Sequence, residues 1–330
     1  MYDKFYHLSG MPFQLTPDSR FFFGSSGHSR AIAHLVYGLA QEEGFIVITG
    51  EIGAGKTTLV EQLWSQLDRR KYLLARIVTT RVSGDDLLRL AVTGFGIPDD
   101  GHTDKATLLR RFASLASDQL ATGRRCLLVV DEVQDLAVTA LEELRMLSNI
   151  TADGRASMQT ILLGQPQFRA SLASAELEQL RQRVLASYHL GPLTEAETRA
   201  YIEHRLGRVG WTGDPGWEEP AFACVYRCTN GIPRRINTLC SRVLLYASIE
   251  GAHTITAPMV ETTANELAHD LGDDVAPPPD ATVIASDPQI AASSASDALM
   301  RRIEALEAGI ARRDSVFRQL MDLLSVTGDR

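Results

Sequence analysis

The stretch Gly50-Glu51-Ile52-Gly53-Ala54-Gly55-Lys56-Thr57-Thr58 constrains this chain more than any other. It follows the apolar run Phe45-Ile46-Val47-Ile48-Thr49 and precedes Leu59-Val60-Glu61-Gln62-Leu63-Trp64, whose apolar residues recur at helical spacing. A G-x-x-x-x-G-K-T pattern between a strand and a helix has a physical meaning. The glycines let successive backbone N–H groups turn inward around phosphate oxygens, and Lys56 reaches the β- and γ-phosphates. The Thr57 hydroxyl ligates Mg²⁺, and the following helix turns the positive end of its dipole to the same anion. The pattern predicts a nucleoside triphosphate site.

A second signal is Cys126-Leu127-Leu128-Val129-Val130-Asp131-Glu132, a buried-strand run ending in two acids. Continuous apolar runs suit central strands of a parallel sheet covered on both faces. An acid at such a strand end can hold Mg²⁺ with Thr57, and its neighbour Glu132 can act as general base toward water. A P-loop kinase, whose nucleophile comes from its substrate, has less need of Glu132. The pair therefore favours hydrolysis, with Lys56 and Glu132 as the central catalytic candidates. Gln165, ending the run Thr160-Ile161-Leu162-Leu163-Gly164, could reach the γ-phosphate or the lytic water. Arg181 and Arg183 precede the strand Tyr188-His189-Leu190 and could serve a neighbouring subunit's nucleotide. Arg234, after the Gly231-Ile232-Pro233 turn, could reach the phosphates across a domain cleft.

Strands alternating with helices from Phe45 to Leu190 specify an α/β, doubly wound parallel sheet. We read residues 1–191 as this nucleotide-binding domain. Its first 30 residues, rich in Phe and Pro, form a strap packed on it, and a helix opens near Ser29 as N-cap. Residues 192–270 read as a small all-helical lid domain, opened by the capping box Thr194-Glu195-Ala196-Glu197. From Asp270 to Ala298 there are six Asp, no Lys or Arg, and the triplet Pro277-Pro278-Pro279, so 271–298 reads as a disordered acidic linker. Leu299, Ile303, Leu306, Ile310, Phe317, Leu320 and Leu324 alternate by threes and fours, interrupted at Arg313. Residues 299–326 thus read as an amphipathic heptad helix, a short coiled coil for self-association or a partner helix.

Composition narrows the partners. A formal charge of −8 across 330 residues, with basic doublets scattered along the chain, does not mark a nucleic-acid surface. Cys126, Cys224, Cys228 and Cys240 show no metal-ligand spacing and read as buried apolar residues. The start lacks the layout of a signal peptide and no apolar run is long enough to span a bilayer. These features predict a cytoplasmic protein without a transmembrane segment, reaching any membrane through a partner.

Taken together, the Gly50–Thr58 loop, the Cys126–Glu132 strand and the Gly231–Asn237 turn resemble an AAA+ ATPase. The wording around them is similar to the ExeA-type ATPases of general secretion, and most of all to those associated with exosortase/PEP-CTERM (XrtA) loci. The residues that carry this include Tyr2-Asp3-Lys4-Phe5-Tyr6, Leu15-Thr16-Pro17-Asp18, Leu163-Gly164-Gln165-Pro166 and Tyr201-Ile202-Glu203-His204-Arg205-Leu206. The resemblance covers residues 1 to about 270. It implies ATP and Mg²⁺ as ligands and assigns Lys56 and Thr57 to Walker A, Asp131 and Glu132 to Walker B, Gln165 to sensor 1 and Arg234 to sensor 2. Either Arg181 or Arg183 is the implied arginine finger of a homo-oligomer. Gln165 departs from the Asn, Ser or Thr commoner at its place. The implied function is a cytoplasmic helper ATPase of an exopolysaccharide or protein export system; the alternative is a DNA-associated ATPase of the transposition-helper or initiator type.

Overall fold

The computed structural model describes residues 2–16, 18–78, 82–152 and 154–270. The expected acidic linker and heptad helix lie outside the described residues. Five strands form one parallel sheet: β1 (Phe45–Gly50), β2 (Tyr72–Ile77), β3 (Arg125–Val130), β4 (Met158–Gly164) and β5 (Val184–Leu190). Their spatial order is β2-β3-β4-β1-β5, so β1 lies between the last two strands in sequence. In parallel open sheets the crevice at the carboxyl ends of the strands is where ligands bind. Here the ends of β3, β4 and β1 lie side by side.

Among the described residues, the longer helices that flank the sheet are α1 (Ser26–Ala40), α2 (Lys56–Gln66), α3 (Gly84–Gly94), α4 (Lys105–Ala121), α5 (Val138–Ser148) and α6 (Gln167–Leu172). The two-residue period of a strand divides the apolar run of β1 between two cores. Phe45 and Val47 join Leu88, Phe112 and Leu144 of α3, α4 and α5 on one face. Ile46 and Ile48 join Leu35 of α1 and Leu59 and Leu63 of α2 on the other. Both faces are therefore dry, as the unbroken apolar runs require. Helix α1 starts earlier than the Ser29 cap expected: Ser25 is the N-cap, its side chain accepting from the His28 backbone N–H at 3.2 Å.

Four further helices follow, α7 (Glu195–Gly207), α8 (Glu219–Thr229), α9 (Pro233–Ile249) and α10 (Ala257–Asp270). Thr194 and Glu197 form a reciprocal capping box at α7. The Glu197 carboxylate also accepts from the Ser26 backbone N–H at 2.8 Å, which ties α7 to the start of α1.

The strap lies elsewhere than expected. Tyr2, Tyr6, Phe13 and Phe21 are buried in the core of the four-helix bundle, among Tyr201, Ile202, Phe222 and Leu239, not against the sheet. Each such side chain removed from water contributes about 1.5–3 kcal/mol. The bundle is small, and the strap supplies much of the aromatic surface that completes its core. Arg205 fixes the crossing: its guanidinium donates to the carbonyls of Pro12 and Gln14 (2.5 and 3.2 Å) and lies 4.7 Å from the Phe21 ring centroid.

Candidate nucleotide site

The loop between β1 and α2 owes its shape to two glycines. Gly53 and Gly55 have φ of 81° and 96°, in the left-handed region that side chains disfavour. Gly55 is the N-cap of α2 and offers no side-chain cap, so the first N–H groups of the helix keep their capacity for an anion. Lys56 is buried and donates from Nζ to the carbonyls of Gly50 (2.8 Å) and Glu51 (3.0 Å). Burial pushes its pKa down, and the negative charges of Glu132, Asp131 and Glu51 oppose that shift. An ammonium satisfied only by carbonyls in a buried loop is charge-assisted toward an incoming phosphate.

Thr57 Oγ1 donates to Asp131 Oδ2 at 2.8 Å, joining the start of α2 to the end of β3. Asp131 is 3% exposed. A hydroxyl and a carboxylate, both hard oxygen donors, fit a magnesium ion. Arg76 of β2 also faces this carboxylate, with Nη2 3.2 Å from Asp131 Oδ2 and Nη1 3.2 Å from Glu61 Oε1. Sequence reading missed Arg76, since its partners lie 15 and 55 residues away.

Glu132 adopts φ 53°, ψ 41°, and its backbone N–H donates to Asp131 Oδ1 at 3.0 Å. Its Oε2 accepts from Gln134 Nε2 at 2.8 Å and Gln165 Nε2 at 3.3 Å. Gln165, just past β4, is thereby brought to the acid pair, and Gln134 emerges as a residue the sequence reading did not select.

Beside these groups lies a cavity of about 370 Å³, lined from the loop side by Gly53, Lys56, Thr57, Thr58 and Glu132. Strap residues Asp18 and Phe21 to Phe23 line another side, and Tyr201, Arg205, Arg234 and Asn237 of the helical bundle a third. The dimensions suit a small polar ligand held by a few placed groups. The Arg234 backbone N–H donates to Gly53 O at 3.2 Å, so the start of α9 rests on the loop itself. His28 reaches the same cavity, its Nδ1 2.7 Å from Ser25 Oγ.

Arg181 and Arg183 do not join this site. Both are exposed and precede β5, and the Arg183 carbonyl accepts from the Phe45 N–H at the opposite end of β1 from the loop. At about 3.3 Å per strand residue, the six residues of β1 put them roughly 20 Å from Gly50. Among the described residues no cluster of three or more His, Cys, Asp or Glu is placed to hold a metal ion, and no helix is long and apolar enough to cross a membrane. Cys224 and Cys228 sit one turn apart on α8, with Sγ atoms 3.9 Å apart.

Sheet order, phosphate loop, paired acids and helical bundle define an α/β P-loop NTPase fold of the AAA type. Residues 39–172 match the AAA domain family. Among curated proteins, the chain is 35% identical over 268 residues to general secretion pathway protein A of Aeromonas hydrophila, an alignment covering 81% of this chain and 49% of that protein. The chain thus spans about half the length of that relative. Among solved structures, Cdc6p from Pyrobaculum aerophilum superposes with a TM-score of 0.61 at 16% identity, covering 76% of this chain and 71% of that one. The ADP form of Aeropyrum pernix ORC2 gives 0.58 at 19% identity, covering 79% and 73%. At such identities the likeness is one of fold.

Proposed function

We propose that this protein binds and hydrolyses ATP as an AAA+ ATPase. The observation that carries the reading is the Thr57–Asp131 hydrogen bond, made beside the cavity that Lys56, Thr57 and Glu132 line. In this reading Gly50 to Thr58 wrap the phosphates and Lys56 pairs with the outer ones. Thr57 and Asp131 hold magnesium, which when bound supplies positive charge to the phosphates. Glu132 takes the proton of the attacking water. Gln165 orients the Glu132 carboxylate, and Arg234, carried by α9, faces the phosphate end of the cavity. Residues 192–270, with the N-terminal strap packed into their core, act as a lid on the sheet domain that carries the phosphate loop.

The likeness to general secretion pathway protein A supports a further step: a helper ATPase of a surface-export system, of which the exosortase/PEP-CTERM-associated systems are the particular class. We place it in the cytoplasm, at the inner membrane through a partner protein, and working as a homo-oligomer. Arg181 or Arg183 then serves the neighbouring protomer.

Paired substitutions test the core of this reading. Glu132→Gln is expected to keep ATP affinity within about threefold and to lower turnover by 10²-fold or more. Lys56→Ala is expected to lose binding itself. Fluorescent-nucleotide titration and phosphate release measure the two separately, and normal turnover by Glu132→Gln would remove it as the base.

A further inference from the structure

We infer that Gln134, in the turn just after Glu132, is a positioning residue for it, holding the base in place through its own anchor on the Gln165 backbone N–H past β4. The inference rests on the assignment of Glu132 given above. Glu132 sits in a left-handed backbone conformation at the head of a single 3-10 turn, Val133–Asp135. For a residue with a side chain that conformation is uncommon and strained, so its surroundings must enforce it. No helix or strand fixes the carboxylate there. Two amides do.

The bridge has a defined polarity. Gln134 Oε1 accepts from the Gln165 backbone N–H at 2.9 Å. A backbone N–H can only donate, so the atom facing it must be the amide oxygen. That leaves the Gln134 Nε2 end directed at Glu132 Oε2, 2.8 Å away, with a longer approach of 3.4 Å to Asp135 Oδ2. Turning the amide over would set carbonyl against carboxylate at one end and N–H against N–H at the other. Gln134 therefore takes its orientation from the tip of β4 and passes it to the acid beyond β3. The second donor, Gln165 Nε2, is longer at 3.3 Å. Both donors fall on Oε2, which leaves Oε1 as the oxygen for the water proton.

The geometry separates positioning from mere stapling of strand ends. Gln134→Glu keeps an acceptor for the Gln165 N–H but removes the donor to Glu132 and sets a second carboxylate beside it. Gln134→Leu removes both bonds. If Gln134 positions the base, both variants lower kcat by about 10- to 100-fold and change affinity for a fluorescent ATP analogue by less than about threefold. If Gln134 only staples β3 to β4, Gln134→Glu behaves as the parent protein, while Gln134→Leu loses thermal stability and nucleotide affinity together; that result overturns the inference. Glu132→Gln is measured alongside. Its failure to lose turnover would remove the base assignment and this inference with it. A dead Glu132→Gln beside a fully active Gln134→Glu removes the inference alone. In the Glu132→Gln background, adding Gln134→Leu is expected to lower the residual rate less than twofold, because the group it positions is gone.

Discussion

His28 is enclosed by Ser25, the edge of the Phe22 ring (centroids 5.6 Å apart, 87°) and Gly55, on which a Cβ would lie 3.0 Å from His28 Nε2. Burial pushes its pKa below the usual 6.5, with Glu197 opposing the shift. The folded protein thus resists a proton that the unfolded chain accepts. Stability from this group is complete above about pH 6.5 and is lost as pH falls through the lowered folded value. His204 and His189 are pushed down by burial as well and act in the same direction. Denaturant midpoints measured from pH 8 to 5 should therefore fall below pH 6.5, with a shallower fall in His28→Gln; an identical slope would show that His28 does not contribute. At this scale the sequence exposed Lys56, Thr57, Asp131 and Glu132, because each lies within a contiguous pattern. Gln134 and Arg76 stayed hidden, because a single polar residue signals nothing until its partners are known.

Among the elements, the phosphate loop and the start of α9 approach each other tightly. A Cβ on Gly53 would lie 2.3 Å from Arg234 Cβ, and φ there is positive. Gly53→Ala must therefore displace the start of α9 or distort the loop. We expect nucleotide affinity to drop by tenfold or more while the far-ultraviolet circular dichroism stays that of the parent; unchanged affinity would mean that α9 need not rest on the loop. A similar restriction holds Gly231, where a Cβ would come within 2.1 Å of the Leu193 carbonyl oxygen. The capping box that opens α7 was readable from its own four residues. The N-cap of α1 moved from Ser29 to Ser25 because its neighbourhood holds Ser25, Ser26 and Ser29, and propensity cannot rank them.

For the whole molecule, Arg181 and Arg183 lie at the far end of β1 from the phosphate loop, and the proposal that they serve a neighbouring protomer makes activity depend on assembly. Specific activity should then rise with protein concentration, and Arg181→Ala or Arg183→Ala should suppress that rise without weakening nucleotide binding. Activity independent of concentration, with sedimentation as a monomer throughout, would take oligomerisation out of the mechanism.

The sequence alone determined the phosphate loop with its flanking strand and helix, the acids after β3, and the alternation that makes a parallel sheet. All of these are short-range patterns, in which chemistry and backbone geometry are encoded within a few adjacent residues. Tertiary structure decided the rest. It carried the strap onto the helical bundle, where a small core lacked aromatic surface. It set Arg76 and Thr57 on one carboxylate, and it tied Gln134, in the turn after β3, to the Gln165 N–H past β4. The opening loop is thus completed by residues up to about 180 positions away, brought to it by burial and hydrogen bonding that no local pattern encodes.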